Sequence, residues 1–250
     1  MSTFVLVPGF WLGGWAWGGV TARLRAAGHE VYPLTLTGLG ERVHLAGPQV
    51  DLETHIADVM NLFKFEDLRD AVLVGHSYAG VVITGVADRI PERIARLVYV
   101  DSAPLPDGVA LIDFYPPERR RSFEESVAAE GDGWRLPLPP WEEMDEGNNL
   151  EGLDPEVREL IAARATPQPF NTARQLIRLT NPARGGLPKL GVLCTFSSAQ
   201  VREMIASGNP LFGELAGPEW QFVELPTGHY PMFSRPKDLA DLLCATDQNP

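Results

Sequence analysis

Short apolar runs that alternate with amphipathic stretches constrain this chain more than any other feature. Phe4-Val5-Leu6-Val7, Glu30 to Leu34, Ala71-Val72-Leu73-Val74 and Leu97-Val98-Tyr99-Val100 read as strands. Between them, Val20 to Ala27, Leu52 to Phe65 and Tyr78 to Ile90 read as helices. Leu52, Ile56, Val59, Met60 and Phe63 keep helical spacing, and Gly28 closes the first helix. A run as continuously apolar as Ala71 to Val74 needs cover on both faces. The βαβα rhythm therefore predicts an α/β fold, a mostly parallel sheet with right-handed crossovers, flanked by helices.

The rhythm stops after Val100. About ninety residues pass before the next convincing strand, Gly191-Val192-Leu193-Cys194, far more than a crossover needs. Twelve of the 22 prolines fall between Pro104 and Pro188, and Glu156 to Arg164 and Thr172 to Leu179 look helical there. This stretch reads as a helical cap insertion over residues 105–184, with residues 1–104 and 185–250 forming the core. The rhythm resumes with a helix near Gln200 to Ala206, a strand Gln221 to Leu225 and a terminal helix from Lys237.

Charge and cysteine content narrow the class. Lys and Arg number 21 against 33 Asp and Glu, a net charge of −12. With no basic face, nucleic acid is excluded as a partner. Cys194 and Cys244 alone cannot build a disulfide framework or a four-ligand zinc site, so a reduced, cytoplasmic setting is expected. The longest apolar run, Ala79 to Ala87, is too short to span a bilayer, and Met1 to Val7 lacks the basic start of a signal peptide. No membrane partner is expected. The oligomeric state stays open, a homodimer included.

The sharpest chemical signal is Leu73-Val74-Gly75-His76-Ser77-Tyr78-Ala79-Gly80, which runs strand, tight turn, helix. A serine on such an elbow exposes its hydroxyl, while small neighbours let strand and helix approach. Ala79 stands where the Gly-x-Ser-x-Gly pattern has its second glycine, and Gly80 follows. A serine there can also simply cap a helix, but the strand-turn-helix context favours Ser77 as nucleophile.

A serine hydroxyl needs a positioned base. His29 and His55 read as surface or packing residues, His44 as a loop hydrogen bonder, and His76 as an elbow residue turned away from Ser77. His229, in Leu225-Pro226-Thr227-Gly228-His229-Tyr230-Pro231, follows the last strand on the side where loops gather at the mouth of a parallel sheet, and is expected to be the base. The acid of such a set usually follows the strand before the histidine strand. Cys194-Thr195-Phe196-Ser197-Ser198-Ala199-Gln200 holds no carboxylate. Asp101, directly after the strand beside the nucleophile strand, is preferred, with Glu203 as the alternative. Backbone N–H groups of Tyr78 and of Phe10, in the glycine-rich loop after the first strand, are expected to form the oxyanion hole. Trp11, Phe114, Trp134 and Trp141 are candidates to touch substrate, in a cap inventory that also offers Tyr115 and Phe170. No cofactor and no metal are implied.

Together these residues resemble the α/β-hydrolase superfamily, and within it the branch of plant methylesterases and hydroxynitrile lyases with bacterial esterase relatives. The carrying segments are Val7 to Trp17, Thr37-Gly38-Leu39-Gly40-Glu41-Arg42, the elbow, and Gly228-His229-Tyr230-Pro231-Met232-Phe233. The resemblance covers nearly the whole chain outside the cap and implies the α/β-hydrolase fold. Pro8 stands where the branch usually has histidine. The lyases carry a threonine and a lysine where this chain has Gly9 and Tyr230, so the resemblance implies an esterase. Some lipases and haloalkane dehalogenases place their acid after the strand that Asp101 follows. The expected function is serine carboxylic-ester hydrolysis of a small apolar or aromatic ester. The rivals are a lyase-like use of the same residues and a ligand-binding protein on the same scaffold.

Overall fold

A computed structural model of the chain describes residues 1–145 and 148–246. The core begins with β1 (Thr3–Val7), α1 (Gly18–Ala26), β2 (Glu30–Pro33), α2 (Leu52–Phe65), β3 (Ala71–His76), α3 (Ala79–Arg89) and β4 (Ile94–Val100). The inserted segment holds α4 (Pro117–Glu130), β5 (Arg135–Leu136), α5 (Trp141–Met144), α6 (Pro155–Arg164), β6 (Gln168–Pro169) and α7 (Asn171–Arg174). The core then closes with β7 (Lys189–Leu193), α8 (Ser198–Ala206), β8 (Trp220–Glu224), α9 (Pro231–Ser234) and α10 (Pro236–Ala245).

Six strands form one sheet in the order β2-β1-β3-β4-β7-β8, with every neighbouring pair parallel. All six residues of β3 are buried, as the unbroken apolar run requires of a central strand covered on both faces. α2 starts at a capping box: Asp51 accepts from the Thr54 N–H at 2.9 Å, and Thr54 accepts back from the Asp51 N–H. Its stripe of Leu52, Ile56, Val59 and Phe63 enters the core. From β1 the chain winds outward to β2, then crosses back to β3 and on to β4. The order therefore reverses between β1 and β3, and the crevice outside their carboxyl ends is where such sheets bind ligands.

The register lines up those carboxyl ends. Val7 pairs with Gly75, His76 with Val100, Val100 with Val192 and Leu193 with Glu224. The residues that follow each strand thus meet along one edge.

The inserted segment shares the hydrophobic core through Leu105, Phe123, Leu136, Ile161, Phe170 and Ile177. Beyond its helices it carries an antiparallel ribbon of β5 and β6 that the sequence did not announce. The helix expected from Thr172 to Leu179 stops at Arg174. The chain runs on extended because its backbone finds partners across the segment: the Ile177 N–H donates to the Val109 carbonyl at 3.0 Å and the Leu179 N–H to Asp107 at 2.8 Å. Asp88, on α3, then accepts the N–H groups of Thr180 and Asn181 and ties the returning chain to the core.

Candidate active site

Ser77 directly follows β3, and its N–H still donates to the Val100 carbonyl at 3.1 Å. Asp101 directly follows β4 and donates likewise to Val192 at 2.8 Å. The sheet ladder thus runs one residue past each strand and holds both backbones. Both residues then turn into the left-handed region, Ser77 at φ 54° and Asp101 at φ 45°, a conformation that costs a non-glycine residue about 1–3 kcal/mol. The turn lets helix α3 start at once. A side chain on Gly75 would come within 2.7 Å of the Ala79 carbonyl oxygen, so only glycine fits there. The second close approach is made by Gly80, whose missing side chain leaves room for the Ser102 hydroxyl.

His229 comes from the loop between β8 and α9, 152 residues from Ser77 in sequence, and its Nε2 lies 2.8 Å from the Ser77 Oγ. Its Nδ1 lies 2.6 Å from Asp101 Oδ2. The other carboxylate oxygen of Asp101 accepts the N–H groups of Cys194 and Thr195 at 3.1 and 3.0 Å, and the Thr195 hydroxyl donates to Oδ2 at 2.9 Å. The Asp101 side chain is 2% exposed. Burial alone would raise its pKa, but the hydrogen bond and charge of His229, with the Thr195 donors, outweigh burial and hold it at about 2. The carboxylate is therefore ionised, Nδ1 donates to it, and Nε2 is left to accept from the serine. Glu203 stands exposed on α8.

The N–H groups of Phe10 and Tyr78 take no hydrogen-bond partner among the described residues. The two rings stack at 4.7 Å between centroids. The Tyr78 hydroxyl meets His55 Nδ1 at 2.9 Å, and His55 Nε2 donates to the Thr37 carbonyl at 2.9 Å. Trp11 sits at φ 64°, fastened to the inserted segment: its N–H donates to Gln168, its ring N–H to the Leu136 carbonyl, and its carbonyl accepts from Thr166.

A cavity of about 580 Å³ opens at Ser77 and His229. Phe10, Trp11, Phe114, Tyr115, Phe123 and Phe212 are among its walls. Trp134 and Trp141, expected on the wall, are not: Trp134 lies under the Arg135 guanidinium and Trp141 packs against the hydrophobic core. Phe170 is buried and likewise absent from the wall. His44 is exposed on its loop and lines no part of the cavity.

Residues 4–242 match the model of the Alpha/beta hydrolase family. The chain belongs to this family. It is 35% identical to the carbendazim hydrolyzing esterase of Nocardioides sp. (strain SG-4G), over 98% of this chain and 99% of that one. The putative chloroplastic methylesterase 14 of Arabidopsis thaliana is 26% identical, over the full chain and 73% of its own length. Among solved structures, an extracellular alpha/beta-hydrolase from a Paenibacillus species is 26% identical, covers 98% of each chain and superposes with a TM-score of 0.79. Within the family this alpha/beta hydrolase is a carboxylic-ester hydrolase. Among the described residues no helix is long and apolar enough to cross a membrane.

Thr195, beside this hydrolase's site, is not foreseen from sequence, and His55 is foreseen only as a surface or packing residue. Thr195 gives Asp101 two donors, and the only signal for it is a polar residue where a strand ends on the site. His55 sits on the buried stripe of α2, fully inaccessible. A polar side chain on an apolar helical face signals a buried partner. Here the partners are the Tyr78 hydroxyl and the Thr37 carbonyl.

Proposed function

We propose that this alpha/beta hydrolase is a serine esterase that works through an acyl-enzyme. The observation that carries the reading is the unbroken relay from Ser77 Oγ through His229 to Asp101, at 2.8 and 2.6 Å. Ser77 Oγ attacks the ester carbonyl carbon and passes its proton to His229 Nε2. Asp101, ionised, keeps His229 in the tautomer that can accept it and stabilises the imidazolium that results. The oxyanion takes hydrogen bonds from the free N–H groups of Phe10 and Tyr78. Nε2 then protonates the departing alcohol. A water molecule, deprotonated by the same nitrogen, attacks the acyl carbon, and Ser77 regains its proton.

Residues 105–184 serve in this reading as a cap that supplies part of the substrate wall. An apolar or aromatic ester is supported by the aromatic lining and by a volume inside the range of drug-sized ligand pockets. Trp11 and Phe114 are the contacts proposed from the original four. The relative named for carbendazim hydrolysis makes that compound worth assaying beside simple esters.

The test is hydrolysis of 4-nitrophenyl acetate and butyrate by wild type and Ser77→Ala, with intact-mass detection of an organophosphonate adduct. Ser77-dependent turnover and a single adduct are expected. A folded protein with neither turnover nor adduct would overturn the proposal.

A further inference from the structure

The histidine next to the nucleophile has no part in the chemistry just described, yet it is 1% exposed. The His76 ring packs against that of His229, with centroids 4.8 Å apart, and against Tyr230 at 5.8 Å and the edge of Trp17 at 6.5 Å. Its Nε2 lies 2.6 Å from the backbone carbonyl oxygen of His229. A carbonyl only accepts, so Nε2 carries the hydrogen and Nδ1 is an unprotonated acceptor. Nδ1 is buried and has no partner among the described residues. Burial, reinforced by the neighbouring His229, pushes the pKa of the ring down to about 3. His76 is therefore a neutral ring whose tautomer is fixed by one acceptor.

That acceptor matters because His229 lies in a loop, off the strand ladder that holds Ser77 and Asp101. Its backbone is gripped instead. The His229 N–H donates to Asn149 at 2.8 Å and the Gly228 N–H to Glu151 at 3.1 Å, both on the inserted segment. The carbonyl bond to His76 is the grip that comes from the core. It also comes from the residue covalently joined to Ser77. Ser77 and His229 are thereby linked twice, through Oγ to Nε2 and through His76 to the His229 backbone, and the second link closes a small ring that sets the span of the first. During turnover His229 becomes an imidazolium, and a neutral His76 does not oppose that charge.

We propose that His76 is a positioning residue: its Nε2–H grips the His229 carbonyl and holds the base at proton-transfer distance from Ser77. The proposal rests on the serine-esterase reading above. Glutamine in place of histidine sets its amide nitrogen near the Nε2 position, whereas asparagine is one carbon shorter and reaches only as far as Nδ1. Both bury one amide, so their difference reads the hydrogen bond and not the polarity of the site.

The experiment measures kcat and KM on 4-nitrophenyl butyrate for wild type, His76→Gln, His76→Asn and Ser77→Ala, with a thermal midpoint for each. A displacement of the base by about an ångström costs on the order of 10²-fold, so kcat of His76→Asn is expected to fall by about that factor. KM should change little, and His76→Gln should recover most of the loss. Equal activity of the Gln and Asn variants, whether high or low, overturns the proposal. Full turnover by Ser77→Ala overturns the serine-esterase reading and this proposal with it; an inactive Ser77→Ala beside equal Gln and Asn variants overturns this proposal alone. If neither His76 variant folds, nitrogen NMR of wild type labelled on histidine decides. An Nε2–H tautomer that does not titrate between about pH 5 and 8 is expected, and an Nδ1–H or titrating ring overturns the assignment.

Discussion

The carboxyl edge of the sheet and the segment inserted between β4 and β7 border the same cavity but are built on different terms. Along the edge, backbone hydrogen bonds carry past the strands and hold Ser77 and Asp101 in a left-handed turn. Glycines at 75 and 80 are demanded by contacts with backbone or a neighbouring hydroxyl. In the insertion, no strand joins the six-stranded sheet, the ribbon of β5 and β6 is two residues long, and the wall is made of side chains such as Leu111, Phe114 and Tyr115. Reacting atoms tolerate little displacement, and for Ser77 and Asp101 the sheet ladder supplies the restraint. The wall needs shape and a largely apolar surface, which side-chain packing supplies. The comparison separates two kinds of failure: edge substitutions should lower kcat, and insertion substitutions should raise KM.

The largest break is Ser77→Ala, which removes the attacking oxygen and should lower kcat by about 10⁶-fold in ester hydrolysis assays with the fold retained. Next, Asp101→Asn should lower kcat by about 10³–10⁴-fold, because the amide can present an N–H to His229 Nδ1 and so favour the wrong tautomer. Glu203→Gln, on an exposed helical face, should leave it unchanged. The opposite ranking in the same assay would move the acid to α8 and break the account of the edge.

A smaller effect reads the core side of the comparison through pH. His55 and His76 are fully buried, and burial lowers their pKa values to about 4 and about 3. In the unfolded chain each titrates near 6.5. Below that pH the unfolded state binds protons that the folded state refuses, so the stabilisation is complete above about pH 6.5 and declines as pH falls toward the folded values. Each histidine should cost on the order of 2 kcal/mol by pH 5, measured as a drop in unfolding free energy in urea between pH 7 and pH 5. His55→Gln should flatten the slope. Residues 105–184 contain no histidine and contribute none of it. A wild-type profile that is flat over this window would contradict the burial of both rings.

The smallest effect sharpens the insertion side. Phe114→Ala removes a cavity wall and should raise KM for 4-nitrophenyl butyrate about fivefold, roughly 1 kcal/mol of apolar contact, with kcat little changed. Trp134→Ala, outside the cavity, should leave KM as it is. If Trp134 proved the more sensitive, the wall assigned to the insertion would be wrong.

By itself, the sequence determined the sheet. Parallel strands covered on both faces must be nearly unbroken apolar runs, and β1, β3 and the last four residues of β4 show this plainly. Where it blurred, a charge lay inside a strand. Arg96 interrupts β4 with its guanidinium on the Thr246 carbonyl, and Lys189 begins β7 with its ammonium on the carbonyls of Gly185 and Leu187. The Arg96 partner lies 150 residues away and those of Lys189 in the turn just before the strand, and in both places a buried charge reads in sequence as a loop. The extended run after Arg174 has the same cause, since its backbone partners stand at residues 107–109. Ser77 and His229 could be named from sequence because their elbow and loop are local. The carboxylate beside them could only be ranked, Asp101 directly after its strand ahead of Glu203 on the helix after another, because which of the two reaches His229 depends on where the folded chain carries them. Only the tertiary structure decided that Asp101 reaches His229 and that His76 grips its backbone. Those contacts join residues more than a hundred positions apart, and their distances follow from how strands, loops and insertion pack together, which no local pattern encodes.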